Sequence, residues 1–272
     1  MPARLPLLAI LFLALLPRAP AGDDAPAKPA DLVTVRKGTL PVIVSAPHGG
    51  RRAIPGAAER LGVGVARFAT VRDANTAELA DRFVAALDEQ LGGTAWVVIA
   101  RFDRKYLDVN RPRDGAYESA AAKPVYDAYH GALAAACKAV KGKHGCGLLL
   151  DLHGQGVIPD AVCRGTRNGK TVTLLKERHG WAAVVGKNSV LGRLERAGYK
   201  VVPKCAAGAD AKEEVAFAGG HVVETYGSHT GYAIDAIQLE FGTNPRERDA
   251  YPETAAALAD AVAAFHDAYL KK

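Results

Sequence analysis

Short apolar runs rich in β-branched residues alternate along this chain with longer Ala- and Leu-rich stretches, and that alternation restricts it to a layered α/β fold. The runs at 40–45, 95–101, 147–152, 199–202 and 236–241 predict strands, and the stretches at 76–91, 125–140, 184–197 and 251–270 predict helices. Asp73 and Asn75 stand where an N-cap of the first helix belongs, and Gly92-Gly93 ends it. The last has Pro252 in its first turn, then Leu258, Val262 and Phe265 on one face. Several strands are apolar on both faces, as a sheet covered by helices on both sides requires. No internal repeat or domain boundary interrupts the pattern. Residues 51–72, rich in Gly and Ala, read as a long loop.

The N-terminus reads as an address. Arg4, the apolar run 5–16 broken only by Pro6, and Ala19-Pro20-Ala21 form the pattern of a cleaved export signal. Residues 1–21 are therefore expected to be a signal peptide, and the mature chain to be periplasmic or secreted. The run falls short of the roughly 20 apolar residues that a spanning helix needs, so no stable membrane insertion is expected after cleavage. Residues 22–32, mostly Ala, Pro, Asp and Lys, read as a disordered leader. Residues 33–272 have the size of one domain, and a hydrophobic content of 49% supplies its core.

Charge and cysteine content narrow the function classes. With Arg4 and Arg18 removed from 35 basic residues against 29 acidic ones, the net charge is near +4. No Lys/Arg stripe interleaved with aromatics appears, so no nucleic-acid partner is expected. No Walker-type glycine loop marks a phosphate-handling enzyme. Cys137, Cys146, Cys163 and Cys205 contain no C-x-x-C, which argues against a cysteine zinc site. In an oxidising compartment their even number predicts disulfides, with neighbouring segments favouring Cys137–Cys146 and Cys163–Cys205 over buried free thiols.

The chemistry-bearing residues cluster at strand ends. Ser45-Ala46-Pro47-His48-Gly49-Gly50 follows one apolar run, and Asp151-Leu152-His153-Gly154 closes another. Ligands of open α/β sheets bind outside the carboxyl ends of the strands, so two histidines in matching contexts point to one place. In Asp108-Val109-Asn110-Arg111, Asp108 and Asn110 share a face if the backbone is extended, and Arg111 offers a planar fork suited to a carboxylate. In Ile237-Gln238-Leu239-Glu240-Phe241, Gln238 and Glu240 share one face of an otherwise apolar strand. A carboxylate there needs a cation or a polar site opposite it.

These pieces resemble the N-formylglutamate amidohydrolase family, itself similar to zinc carboxypeptidases. The matching motifs are Ser45-x-Pro47-His48-x-Gly50, Asp73 ahead of a helix, Arg104-x-x-x-Asp108-x-Asn110-Arg111, Asp151-Leu152-His153-Gly154, Gly219-Gly220 with Tyr226-Gly227, and Gln238-Leu239-Glu240, in family order. The resemblance implies a single three-layer α/β domain, 33–272, whose central mixed sheet is flanked by helices in the zinc carboxypeptidase-like (phosphorylase/hydrolase-like) manner. It implies a Zn2+ cofactor held by His48 and His153, with Asp108 fixing the orientation of His48. Asn110 and Arg111 are expected to grip a substrate carboxylate, and Arg104 to stabilise the oxyanion. Glu240 is expected to take a proton from the attacking water and deliver it to the leaving nitrogen.

Three departures accompany the likeness. Carboxypeptidases supply a Glu three residues after the first histidine, where this chain has Arg51, which cannot ligate. Asp73 is the expected third ligand, with Glu59 and Glu78 as rivals. His221 follows Gly219-Gly220 where the family often has an aromatic residue; it and His229 stay open as ligands, substrate contacts or surface residues. The compartment also departs, because N-formylglutamate breakdown is intracellular. The expected reaction is therefore hydrolysis of the amide bond of an N-acylated amino acid or peptide with a free carboxylate. The alternatives are an exported zinc carboxypeptidase trimming peptides, including cell-wall peptides, and a metal-free binding homologue.

Overall fold

In the computed structural model, which describes residues 28–271, one seven-stranded sheet is built from Val33–Arg36 (β1), Val42–Ala46 (β2), Trp96–Ala100 (β3), Gly147–Gly154 (β4), Ala161–Gly165 (β5), Lys200–Val202 (β6) and Ile234–Phe241 (β7). The strand order is β1-β3-β2-β4-β7-β5-β6. The central β3, β2, β4 and β7 are parallel; β1 joins β3 antiparallel, and β5 joins β7 antiparallel and carries β6 parallel to itself. The signal peptide expected at 1–21, and the leader to residue 27, lie outside the described residues.

The period-2 alternation of the strands sorts their side chains into two cores. Val42, Val44, Leu148, Leu150, Ile237 and Leu239 pack on one side beneath helices Thr76–Leu91 (α1) and Tyr251–Phe265 (α2). Ile43, Leu149, Val98 and Ala236 pack on the other side against helix Lys123–His144 (α3) and the short helix His221–Tyr226 (α4). The result is the expected three-layer α/β domain. Near the carboxyl ends, the face toward α3 and α4 turns from apolar to polar. Ile43 is followed by Ser45, Leu149 by Asp151 and His153, and Ala236 by Gln238 and Glu240. Among the described residues no helix is long and apolar enough to cross a membrane.

Several expectations are corrected. Strands β1 and β5 were not foreseen. The first is a short edge strand of alternating burial, and the second is five residues ending in Arg164-Gly165. The helix expected at 184–197 is two, Ala182–Val185 and Val190–Arg196, because Ser189 starts a new helix by accepting the Gly192 N–H at 2.9 Å. The leader is ordered at its end: Pro29–Leu32 forms a 3-10 turn and Leu32 is buried. Neither Asp73 nor Asn75 caps α1 with its side chain. Asn75 sits at the cap position with φ +65° and donates from Nδ2 to the Arg246 carbonyl at 2.8 Å.

The two expected disulfides are absent; all four cysteines are free. Cys137 lies seven residues before the end of α3, so roughly 10 Å of helix separates it from the segment of Cys146, beyond disulfide reach. Cys163 lies on β5 between β7 and β6, and Cys205 opens the next 3-10 segment with its thiol in the core. Burial pushes both thiols up to about 12.

Candidate metal-binding and catalytic site

Because β2, β4 and β7 are adjacent and parallel, their carboxyl ends deliver His48, His153 and Glu240 to one place. His153 and Glu240 face each other in register. Asp73 reaches the same point from the loop before α1. Its backbone N–H donates to the His48 carbonyl at 3.0 Å, and its Oδ2 accepts the Gly154 N–H at 3.0 Å. A side chain placed to cap a helix is instead turned into the cleft.

The two imidazoles are set alike. His48 Nε2 lies 2.7 Å from Asp108 Oδ1, and His153 Nε2 lies 2.8 Å from Asp151 Oδ2. Ionised carboxylates only accept, so each Nε2 carries a proton, and in the neutral form that binds a metal each Nδ1 would present its lone pair. Both Nδ1 atoms lie 3.3 Å from Asp73 Oδ2. In a neutral pair no proton stands between these acceptors, and the arrangement asks for a cation. Around a zinc ion with bonds of about 2.0–2.1 Å, tetrahedral edges measure about 3.3 Å. The donor set therefore fits a divalent metal held by His48, Asp73 and His153, all three buried. Of the rival ligands, Glu59 is exposed and pairs with Lys105 at 2.6 Å, and Glu78 pairs with Arg51 at 3.2 Å.

The electrostatics follow from burial and neighbours. Burial opposes the charge on His153, but Asp151 and Asp73, with Glu240, hold its pKa well above the usual imidazole value. Burial likewise opposes the charge on Asp73, and His48 and His153 more than reverse it, holding the carboxyl well below the usual range. For Glu240 burial wins and pushes the carboxyl up to about 7, against the pull of His153. Glu240 Oε1 lies 3.9 Å from His153 Nδ1 and accepts the Gln238 amide at 2.9 Å.

Arg104, Asn110 and Arg111 complete the cleft. Arg104 donates from Nε and Nη2 to Asp108 Oδ2 at 3.0 and 2.9 Å, and its Nη1 lies 3.6 Å from Asp73 Oδ1. Asn110 accepts the Val222 N–H at 2.8 Å, which docks the start of α4 against the site. Gly220 permits this approach, since a Cβ there would lie 2.1 Å from Asn110 Nδ2. Arg111 donates to the Arg67 carbonyl at 3.0 Å and lines the same cleft of about 500 Å3.

His221 lines the cleft, with Nε2 3.4 Å from the Tyr126 hydroxyl, whereas His229 does not line it. The structure thus gathers His48, Asp73, His153, Asp108, Arg104, Asn110, Arg111 and Glu240 around one space, and leaves Glu59, Glu78 and His229 outside it. The sequence reading missed Arg67 and Arg167, which also line the cleft, and Arg246, buried behind it. All three lie in connections, where no strand or helix period marks them.

No family model matches the sequence, and no curated protein does. Among solved structures the chain is similar to N-formylglutamate amidohydrolase from Ralstonia eutropha, with a TM-score of 0.60 and 16% identity over 87% of this chain and 97% of that one. It is also similar to a gene product from Agrobacterium tumefaciens, with a TM-score of 0.55 and 14% identity over 87% of this chain and 95% of that one. At these identities the likeness establishes the fold, that of the amidohydrolase.

Proposed function

We propose that this chain is a zinc-dependent amidohydrolase that cleaves the amide bond of an N-acylated amino acid or peptide bearing a free carboxylate. One observation carries the reading: two imidazole Nδ1 atoms stand 3.3 Å from a buried carboxylate oxygen, each imidazole fixed from behind by another carboxylate, with Glu240 beside them. The structural likeness to N-formylglutamate amidohydrolase supports the same class.

A zinc ion held by His48, Asp73 and His153 would supply Lewis acidity toward water and the amide carbonyl. The protein's own groups do the rest. Arg111 offers its guanidinium to the substrate carboxylate, with Asn110 beside it. Arg104, fixed by Asp108, projects into the cleft where negative charge develops on the carbonyl oxygen. Glu240, buried and held by Gln238, takes a proton from the attacking water and returns it to the leaving nitrogen. The cleft of about 500 Å3 exceeds what a small acyl amino acid fills, which keeps peptide trimming as the second reading. Arg4, the run 5–16 and Ala19-Pro20-Ala21 support an exported enzyme.

The decisive variant is Glu240→Gln, which keeps size and hydrogen-bonding reach but removes the base. Zinc content and thermal stability should stay near wild type, while hydrolysis of N-acylated amino acids falls by ~100- to 10,000-fold. Near-wild-type turnover would exclude Glu240 as the base. Loss of zinc would make it a ligand instead.

A further inference from the structure

Arg246 lies beyond β7 in a 3-10 turn, Asn244–Arg246, yet its side chain is buried behind the site. Its guanidinium hydrogen-bonds to backbone carbonyls. Nε donates to the carbonyls of Phe241 and Gly242 at 3.0 and 3.1 Å, Nη2 to that of Gln155 at 3.1 Å, and Nη1 to that of Ala74. Each of these carbonyls lies one or two residues from a site residue. Phe241 follows Glu240, Gln155 follows His153 by two, and Ala74 follows Asp73. The contact with Gln155 depends on Gly154, because a Cβ there would lie 2.5 Å from Arg246 Cζ.

The wiring is reciprocal. The Gln155 N–H donates to the Phe241 carbonyl that Arg246 also binds, at 2.9 Å, and Asn75 returns a bond to the Arg246 carbonyl at 2.8 Å. A planar fork with donors at three corners can reach three chain segments at once, which an ammonium cannot. Burial works against its charge, and beyond the backbone dipoles Asp73 and Glu240 favour it.

We propose that Arg246 is the positioning residue of the site: one guanidinium ties the segments carrying Asp73, His153 and Glu240 into a fixed mutual geometry, and so sets metal affinity. Its metal-related part rests on the metal reading of the His48–Asp73–His153 cluster; its mechanical part does not. Fixing ligands from behind is worth about 10- to 100-fold in metal affinity.

The test uses full-length mature protein as wild type, Arg246→Met and Arg246→Lys, with two measurements. In metal-free protein, hydrogen exchange should accelerate about tenfold or more at 73–76, 153–156 and 240–243 together in Arg246→Met, with α3 unchanged. Arg246→Lys, which keeps part of the bonding, should fall between. Titration with Co2+, read by its visible spectrum, should show affinity lower by about 10- to 100-fold in Arg246→Met. Unchanged exchange in the three segments, or acceleration spread evenly over the molecule, overturns the brace. Cobalt affinity within about twofold of wild type overturns its link to the metal. If wild type binds no Co2+ while the three segments still loosen together, the metal reading fails and the brace stands. Should Arg246→Met not fold, Arg246→Lys supplies both readouts against wild type.

Discussion

His153 lies on β4 and His48 two residues past the end of the neighbouring parallel β2, and their supports are built differently. His153 leans on Asp151, two residues back on the same face of β4, and Asp151 in turn accepts the Ser45 hydroxyl of β2 at 2.6 Å. That support is strand on strand and wholly buried, and among the described residues no arginine or lysine pairs with Asp151. His48 leans on Asp108, from a connection beyond β3, and Asp108 is held by Arg104 and by the Asn110 N–H at 3.0 Å. One imidazole is thus held mainly by the sheet, with Asn110 Nδ2 3.3 Å from its Nε2, and the other by the loop that carries Arg104 and Arg111. The first arrangement gives rigidity; the second couples the metal to the groups that meet the substrate.

Removing either imidazole tests what the two arms share, and has the largest effect. His48→Ala and His153→Ala should each abolish stoichiometric zinc, measured by elemental analysis of purified protein, because two remaining donors do not make a stable zinc site. Zinc at full occupancy in either variant would remove that histidine from the ligand set.

The arms should part at their carboxylates. In Asp108→Asn the new amide nitrogen meets the Arg104 guanidinium, so donors face donors and Arg104 comes loose. In Asp151→Asn the new amide meets Ser45, whose hydroxyl can rotate to accept it. Metal affinity should fall in both, within the ~10- to 100-fold range for such partners, with Asp108→Asn at the upper end and Asp151→Asn at the lower. Competition titration with a zinc chelator checks the ranking. Turnover at saturating zinc should also fall further in Asp108→Asn. Equal losses in both variants would mean that Arg104 adds nothing to the His48 arm.

This difference also explains what could be read beforehand. The sheet-built arm was legible because an apolar run ending in Asp-x-His-Gly fixes face and position together. The sharing of one face by Gln238 and Glu240 followed from the same period. Asp73 was placed near the site, but as a helix cap as well as a ligand, since a sequence does not show which way a short polar side chain turns. Strand β1 was missed because an edge strand of alternating burial carries little apolar signal. Arg246 carried none, as its partners Gln155 and Ala74 lie 91 and 172 residues away. The cysteines misled for a related reason: an even count says nothing of direction, and Cys137 points into the core.

The smallest effect, and the finest probe of the comparison, is Ser45→Ala. Its hydroxyl touches only the sheet-built arm, donating to Asp151 Oδ1 at 2.6 Å in a fully buried setting. Losing that bond leaves a buried carboxylate oxygen short of a donor, a cost of about 1–3 kcal/mol. For a domain of this size that lowers the melting temperature by roughly 2–4 °C per kcal/mol. Zinc affinity should change by only about threefold or less, because Asp151 Oδ2 still holds His153. The variant becomes informative in combination. With Asp151→Asn, the rotating hydroxyl that rescued the amide is gone, so the double substitution should lose more affinity than the two single losses multiplied together. With Asp108→Asn the losses should simply multiply, since Ser45 does not touch that arm. The reverse pattern, coupling to Asp108 but not to Asp151, would mean that the two supports are not separate and that the sheet and the loop hold the site as one unit.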